Sequence, residues 1–200
     1  MSSKVDICNM ALAALGVGDQ IVNIDSERSA EARACRMFYL PTLKEVLREG
    51  YWPFATKIED LALIKEDPND EWGFSYRYPI DCVMFKRILS GQRTDTRATR
   101  VPTKIVADES GQIVYCDTDE AEAEYTFLAD NPEVYPADFV AALAYLLAVR
   151  IAPLVTAGDP FGLQAKSARL YMVQIDKSRA TAANEEQADV EPDPETISGR

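Results

Sequence analysis

The segment Phe139–Val155, FVAALAYLLAVRIAPLV, holds one charge, Arg150, in seventeen residues. Wound as a helix, it puts Phe139, Leu143, Leu146, Leu147 and Leu154 on one face, with Arg150 among them. Ala141, Ala144, Ala148 and Ala152 fall on the other. A bulky face opposed to a small one predicts a helix buried on two sides, with alanines that let a neighbouring backbone come close. The length is borderline for the roughly 20 apolar residues of a membrane span. Arg150 on the bulky face, Pro153, and the bracketing Asp138 and Asp159 point instead to a buried helix and no membrane partner. Pro136 suits the first turn, where a missing N–H costs nothing. Gly158 suits the stop, because it tolerates φ > 0.

Two hundred residues, 47% of them hydrophobic, supply a core for one domain, or for one domain with an insertion. MSSKVDICNM leads directly into a mixed amphipathic segment with no signal pattern. Cys8, Cys35, Cys82 and Cys116 form no CxxC pair and read as free thiols in a reducing compartment, Cys8 and Cys35 being buried. The chain has no histidine, which excludes a Ser-His-Asp or Cys-His nucleophile system and any histidine-containing metal site. It also lacks a GxGxxG or GxxxxGK[ST] loop, so no cofactor is expected. Carboxylate chemistry remains open among 33 acidic residues, although acids in that number usually make a solvated surface. The net charge of −12 is the wrong sign for gripping DNA phosphates. Such a chain either avoids DNA or lets it slide past.

Periodicity predicts helices over 4–15 and from a cap at Asp25, Ser26 or Ser29 to about Arg48. Pro41 should kink or break the second of these. From Thr56 to Ala129 the pattern turns to short strands: Ile58–Ile64, Phe74–Tyr78, Val83–Leu89, Thr103–Ala107, Gln112–Cys116 and Glu122–Leu128. Asp108-Glu109-Ser110-Gly111 reads as a hairpin loop. A last helix should open at Asp159-Pro160, reach about Ala183, and bury Leu163, Leu170, Val173 and Ile175. Residues 184–200 are acidic and too poor in apolar side chains to fold alone. The expected fold is α+β: an antiparallel bundle of about four helices (1–51 and 132–183), a β-rich insertion between helices 2 and 3 (52–131), and an extended C-terminal tail (184–200).

Three stretches carry a resemblance. They are ICNMALAALGV with SAEARACRMFYLPTLKEVLREGYWPFA, then WGFSYRYPIDCVMF, then EYTFLADNPEVYPADFVAALAYLLAVRIAPLV. Together they resemble the tail tubular protein A, or head-to-tail adaptor, family of tailed bacteriophages, over about residues 5–180. The resemblance implies a homo-oligomeric ring, usually of twelve copies, seated below the portal protein in the virion neck. Such a ring extends the DNA channel, passes double-stranded DNA without reading its sequence, and carries the tail nozzle or tail-tube proteins. It implies no enzymatic step. It also makes residues 184–200 the portal-facing arm, through Asn184, Glu185, Glu186, Asp189, Glu191, Asp193 and Ile197. The β-rich region would serve contacts between subunits or with the nozzle.

Individual residues leave choices open. Arg150 either snorkels to solvent at the helix end or is buried and paired with a carboxylate, in which case Arg150→Ala should abolish soluble folding or assembly. Trp52 and Phe54 read as an apolar plug between bundle and insertion. Trp72, Phe74, Tyr76 and Tyr78 alternate, so they line one strand face, suited to a core or a subunit interface. Arg93, Arg97 and Arg100 lie in one polar loop that either stays solvated or meets DNA or an acidic partner. Two functions compete with the adaptor. One is a tail-associated cell-wall hydrolase with two carboxyl groups about 5–9.5 Å apart; the other is a cytoplasmic helical interaction module.

Overall fold

The computed structural model describes residues 2–18, 20–92 and 98–185. The chain runs α1 (Lys4–Ala14), α2 (Ala30–Arg48), seven strands, α3 (Ala137–Val155) and α4 (Leu163–Glu185). The strands are β1 (Thr56–Asp60), β2 (Leu63–Asn69), β3 (Trp72–Arg77), β4 (Cys82–Ile88), β5 (Lys104–Asp108), β6 (Gly111–Cys116) and β7 (Glu122–Phe127).

The expected antiparallel bundle with a β-rich insertion is not what forms. The described residues form four α-helices and two separate antiparallel sheets, and the helices do not make a four-sided bundle. α3 is a hub that packs on α1, α2 and α4, while α1 and α2 meet only slightly and neither packs along α4. The reason lies in the burial patterns. α3 buries Phe139, Val140, Ala142, Leu143, Ala144, Leu146, Leu147, Ala148, Ile151 and Ala152, which point in most directions around its axis. α4 buries only Ser167, Tyr171, Ile175, Ser178 and Ala182, a narrow column that serves one neighbour. Its small members let α3 approach. Leu170 and Val173, expected inside, are 39% and 72% exposed.

α3 is long and apolar enough to cross a membrane by composition, but here its apolarity is used against three helices. Its far end is open: Leu154 is 56% exposed and Arg150 lies on the surface. α1 is closed by a capping box between Ser3 and Asp6. Ser29 caps α2, which continues through Pro41 without a break. Pro41 sits on the exposed side, and Met37, whose carbonyl loses its donor, is 64% exposed, so water can replace the bond. α4 begins at Leu163, later than expected, yet the Asp159 carboxylate accepts the Leu163 and Gln164 N–H groups at 2.7 and 3.0 Å. Asn184 and Glu185, expected in the tail, belong to this helix.

The first sheet has the order β1-β7-β4 and the second β2-β3-β6-β5. The stretch 58–64 is two strands rather than one, because at Leu61 and Ala62 the chain passes from the first sheet to the second, Leu61 N–H donating to Ala121 O at 2.8 Å and Ala62 O accepting from Arg77 N–H at 2.8 Å. Gly111 pairs with Asp108, leaving Glu109 and Ser110 as the hairpin loop. The sheets face each other over a core of Tyr76, Ile88, Val114, Cys116, Ala123 and Tyr125. A second, larger core surrounds α3 and includes Cys8, Cys35, Trp52 and Tyr135. Val83 and Leu128 lean from the first sheet onto this helical core. All four cysteines are free thiols.

Candidate functional site

Trp52 is 2% exposed, and its indole N–H donates to Val46 O at 3.1 Å. Its ring meets Phe139 edge-on at 4.9 Å, and Phe54 meets Phe139 at 4.8 Å. Tyr135 completes the cluster. Tyr76 is 1% exposed between the sheets, with Phe74 and Tyr78 packed against the same core. Trp72 is half-buried at the start of β3. Trp52 and Tyr76 therefore serve the interior of the two cores.

Arg150 is paired within the chain, with Glu45 of α2. Both side chains keep about two-fifths of their surface in water, at 43% and 41%. The buried pair expected at Arg150 is thus an exposed one. Of the three loop arginines, Arg100 is exposed, while Arg93 and Arg97 lie outside the described residues. So do Glu186, Asp189, Glu191, Asp193 and Ile197.

Among the described residues the buried charge is Glu124, in the central strand of the first sheet, at 5% exposure. It accepts from Arg87 Nε at 2.7 Å and lies 3.7 Å from Lys86 Nζ. Lys86 donates to Thr56 Oγ1 at 2.8 Å and sits 3.6 Å from the centre of the Tyr51 ring. On the other face, the Tyr125 hydroxyl bonds Glu59 and lies 3.1 Å from Asp81. Lys57 holds Asp81 at 2.7 Å. Burial raises the Asp81 carboxyl, but hydrogen bonds from Lys57 and Tyr125 outweigh it and hold the group below its ordinary value. Burial, then the bonds to Glu59 and Asp81, push the Tyr125 phenol far up. A general acid of a hydrolase needs a raised carboxyl, and Asp81 is shifted the other way.

Two surface features were not read from the sequence. A groove of about 380 Å³ runs between α1, α3 and α4, lined by Met10, Ala13, Ala14, Ala141, Ala144, Tyr145, Lys166 and Leu170. One turn on from Leu170, α4 exposes Val173 at 72%. The second feature is a hollow of about 530 Å³ at the far end of the sheets. Asp60, Asp119, Glu120 and Glu122 line it over Leu61, Leu63 and Tyr76. The α4 periodicity could have found the first feature: a helix with one buried column and extra apolar residues beside it has surplus to cover. The second gathers residues from three separate stretches and leaves no local signal. Among the described residues no three His, Cys, Asp or Glu side chains are placed to hold a metal ion.

No protein-family model matches the chain, and no curated protein matches it.

Proposed function

We propose that this chain is a head-to-tail adaptor of a tailed-phage virion: a ring that binds below the portal, extends the DNA channel and carries the tail. The observation that carries the reading is the unshared apolar surface of the helical half. Met10 and Leu170 line the alanine-rich groove and are exposed, and Val173, one turn on from Leu170, is exposed on the same side of α4. A lone chain of charge −12 gains nothing from such a surface in water, whereas a chain built for close neighbours uses it to pack. The acidic surface agrees with a conduit wall that DNA passes without adhering. The three resembling stretches support the same reading, since two of them supply the hub helix and the aromatic cluster that meets it.

The test is the mass of the chain alone and with a purified portal ring. A symmetric complex on the portal is the expected result. No portal binding, together with turnover of peptidoglycan, would replace this reading with the hydrolase.

A further inference from the structure

We infer that copies of this chain join head to tail, the outward ridge of α2 on one copy seating in the acidic hollow of the next. This rests on the ring reading and names the faces that would make it.

The exposed line of α2 is Arg33, Met37, Leu40 and Lys44, at positions i, i+4, i+7 and i+11. That spacing places all four along one side of a helix, over roughly 16 Å at 1.5 Å per residue. Met37 and Leu40 are 64% and 40% exposed, and exposed Pro41 lies beside them. The ridge therefore has an apolar centre with a cation at each end. The acids of this helix lie off that line by their spacing: Glu31 is half-buried, and Glu45 is already paired with Arg150. Arg36 spends its guanidinium on the Ile24 and Glu27 carbonyls. Arg33 and Lys44 have no ion pair among the described residues.

The hollow is the complement in shape and sign. It is concave, with Leu61 and Tyr76 in its floor and Leu63 48% exposed. Asp60, Asp119, Glu120 and Glu122 are all exposed around it, and among the described residues no cation lines it. A second copy of this chain is the occupant, because the cationic, apolar ridge and the acidic, apolar-floored hollow complement each other and belong to one sequence. Double-stranded DNA fits less well. Two cations around an apolar centre, on a chain of charge −12, give few phosphate contacts against a repulsive field. Because ridge and hollow are different patches, their pairing is heterologous: each copy keeps one free ridge and one free hollow. Such contacts close into a ring when the rotation permits. One contact would be weak and salt-sensitive, and closure would multiply it.

Sedimentation velocity on the full chain, Lys44→Glu, Glu122→Lys and their equimolar mixture tests this. Both positions are exposed, and unchanged melting curves check that the variants fold. Wild type should self-associate as its concentration rises, and less so in high salt. Each single variant should weaken association by at least about tenfold, since like charges then face each other. The mixture should restore it, because each reversed ridge meets a reversed hollow. Salt-insensitive behaviour, single variants that associate like wild type, or a mixture that stays monomeric overturns the pairing. So does a short DNA duplex that wild type holds and Lys44→Glu loses while self-association is unchanged. A wild type that is monomeric alone yet rings on the portal sinks this pairing and leaves the adaptor reading standing. Self-association with no portal binding does the reverse.

Discussion

Around α3, no charged side chain is buried among the described residues; the core is Phe139, Leu143, Leu147, Trp52 and their neighbours, plus a few hydroxyls. In the first sheet the middle strand buries Glu124 and answers it with Lys86 and Arg87. The two halves of one chain thus hide side chains by different means. The helical half relies on dispersion and excluded water, which tolerate small misfits. The sheet half relies on a charge cluster, which holds one register and fails sharply if a partner is lost. Where a charge lies in sequence does not decide which case applies. Arg150 is flanked by apolar residues yet exposed, while Glu124 lies in EAEYTF and is covered.

The largest effect should come from Trp52→Ala. It removes the centre of the aromatic cluster and should cost about 3–5 kcal/mol in denaturant unfolding. A loss below 1 kcal/mol on that scale would mean that the helical half collapses to refill the space. Next is Glu124→Ala, which removes the buried carboxylate that Lys86 and Arg87 share. The expected cost is about 3 kcal/mol, the low end for a broken buried pair, because Arg87 keeps 32% of its side chain in water. Adding Lys86→Met to Glu124→Met should recover much of it; no recovery would show that Glu124 acts through something other than its cations. Arg150→Ala should cost less than about 1 kcal/mol, as exposed pairs do. Loss of soluble protein in that variant would contradict the exposed Glu45 pair.

The smallest effect is acid sensitivity at Asp81. Its folded pKa is depressed below the ordinary 3.8, so its contribution is complete above that value and is lost as pH falls through the lower, folded value. At 39% side-chain exposure the contribution is modest. Asp81→Asn should flatten this part of a stability–pH curve below about pH 4; an unchanged curve would assign the acid response elsewhere.

Local order was legible where one element decides it. The alternation of Trp72, Phe74 and Tyr76 marked β3, Asp108–Gly111 marked a hairpin, and of the three cap candidates Asp25, Ser26 and Ser29 the last is the one that starts α2. What failed depends on partners. Periodicity says that a helix buries a face, not how many helices cover it, so a hub read as a bundle member. The crossing between sheets at Leu61 carries no glycine or proline and is fixed by a bond to Ala121, far along the chain. The acidic hollow likewise exists only once β7 has come back beside β1.

The buried thiols give this chain internal clocks. Cys8 and Cys35 are 0% exposed in the helical core, and Cys116 is 0% exposed between the sheets. A hydrogen bond to Cys35, with burial, pushes the Cys8 thiol far above its ordinary pKa, so it reacts only after exposure. The labelling rate of each thiol then reports how often its own half opens. The order in which Cys8 and Cys116 are alkylated dates, without any substitution, which half lets go first.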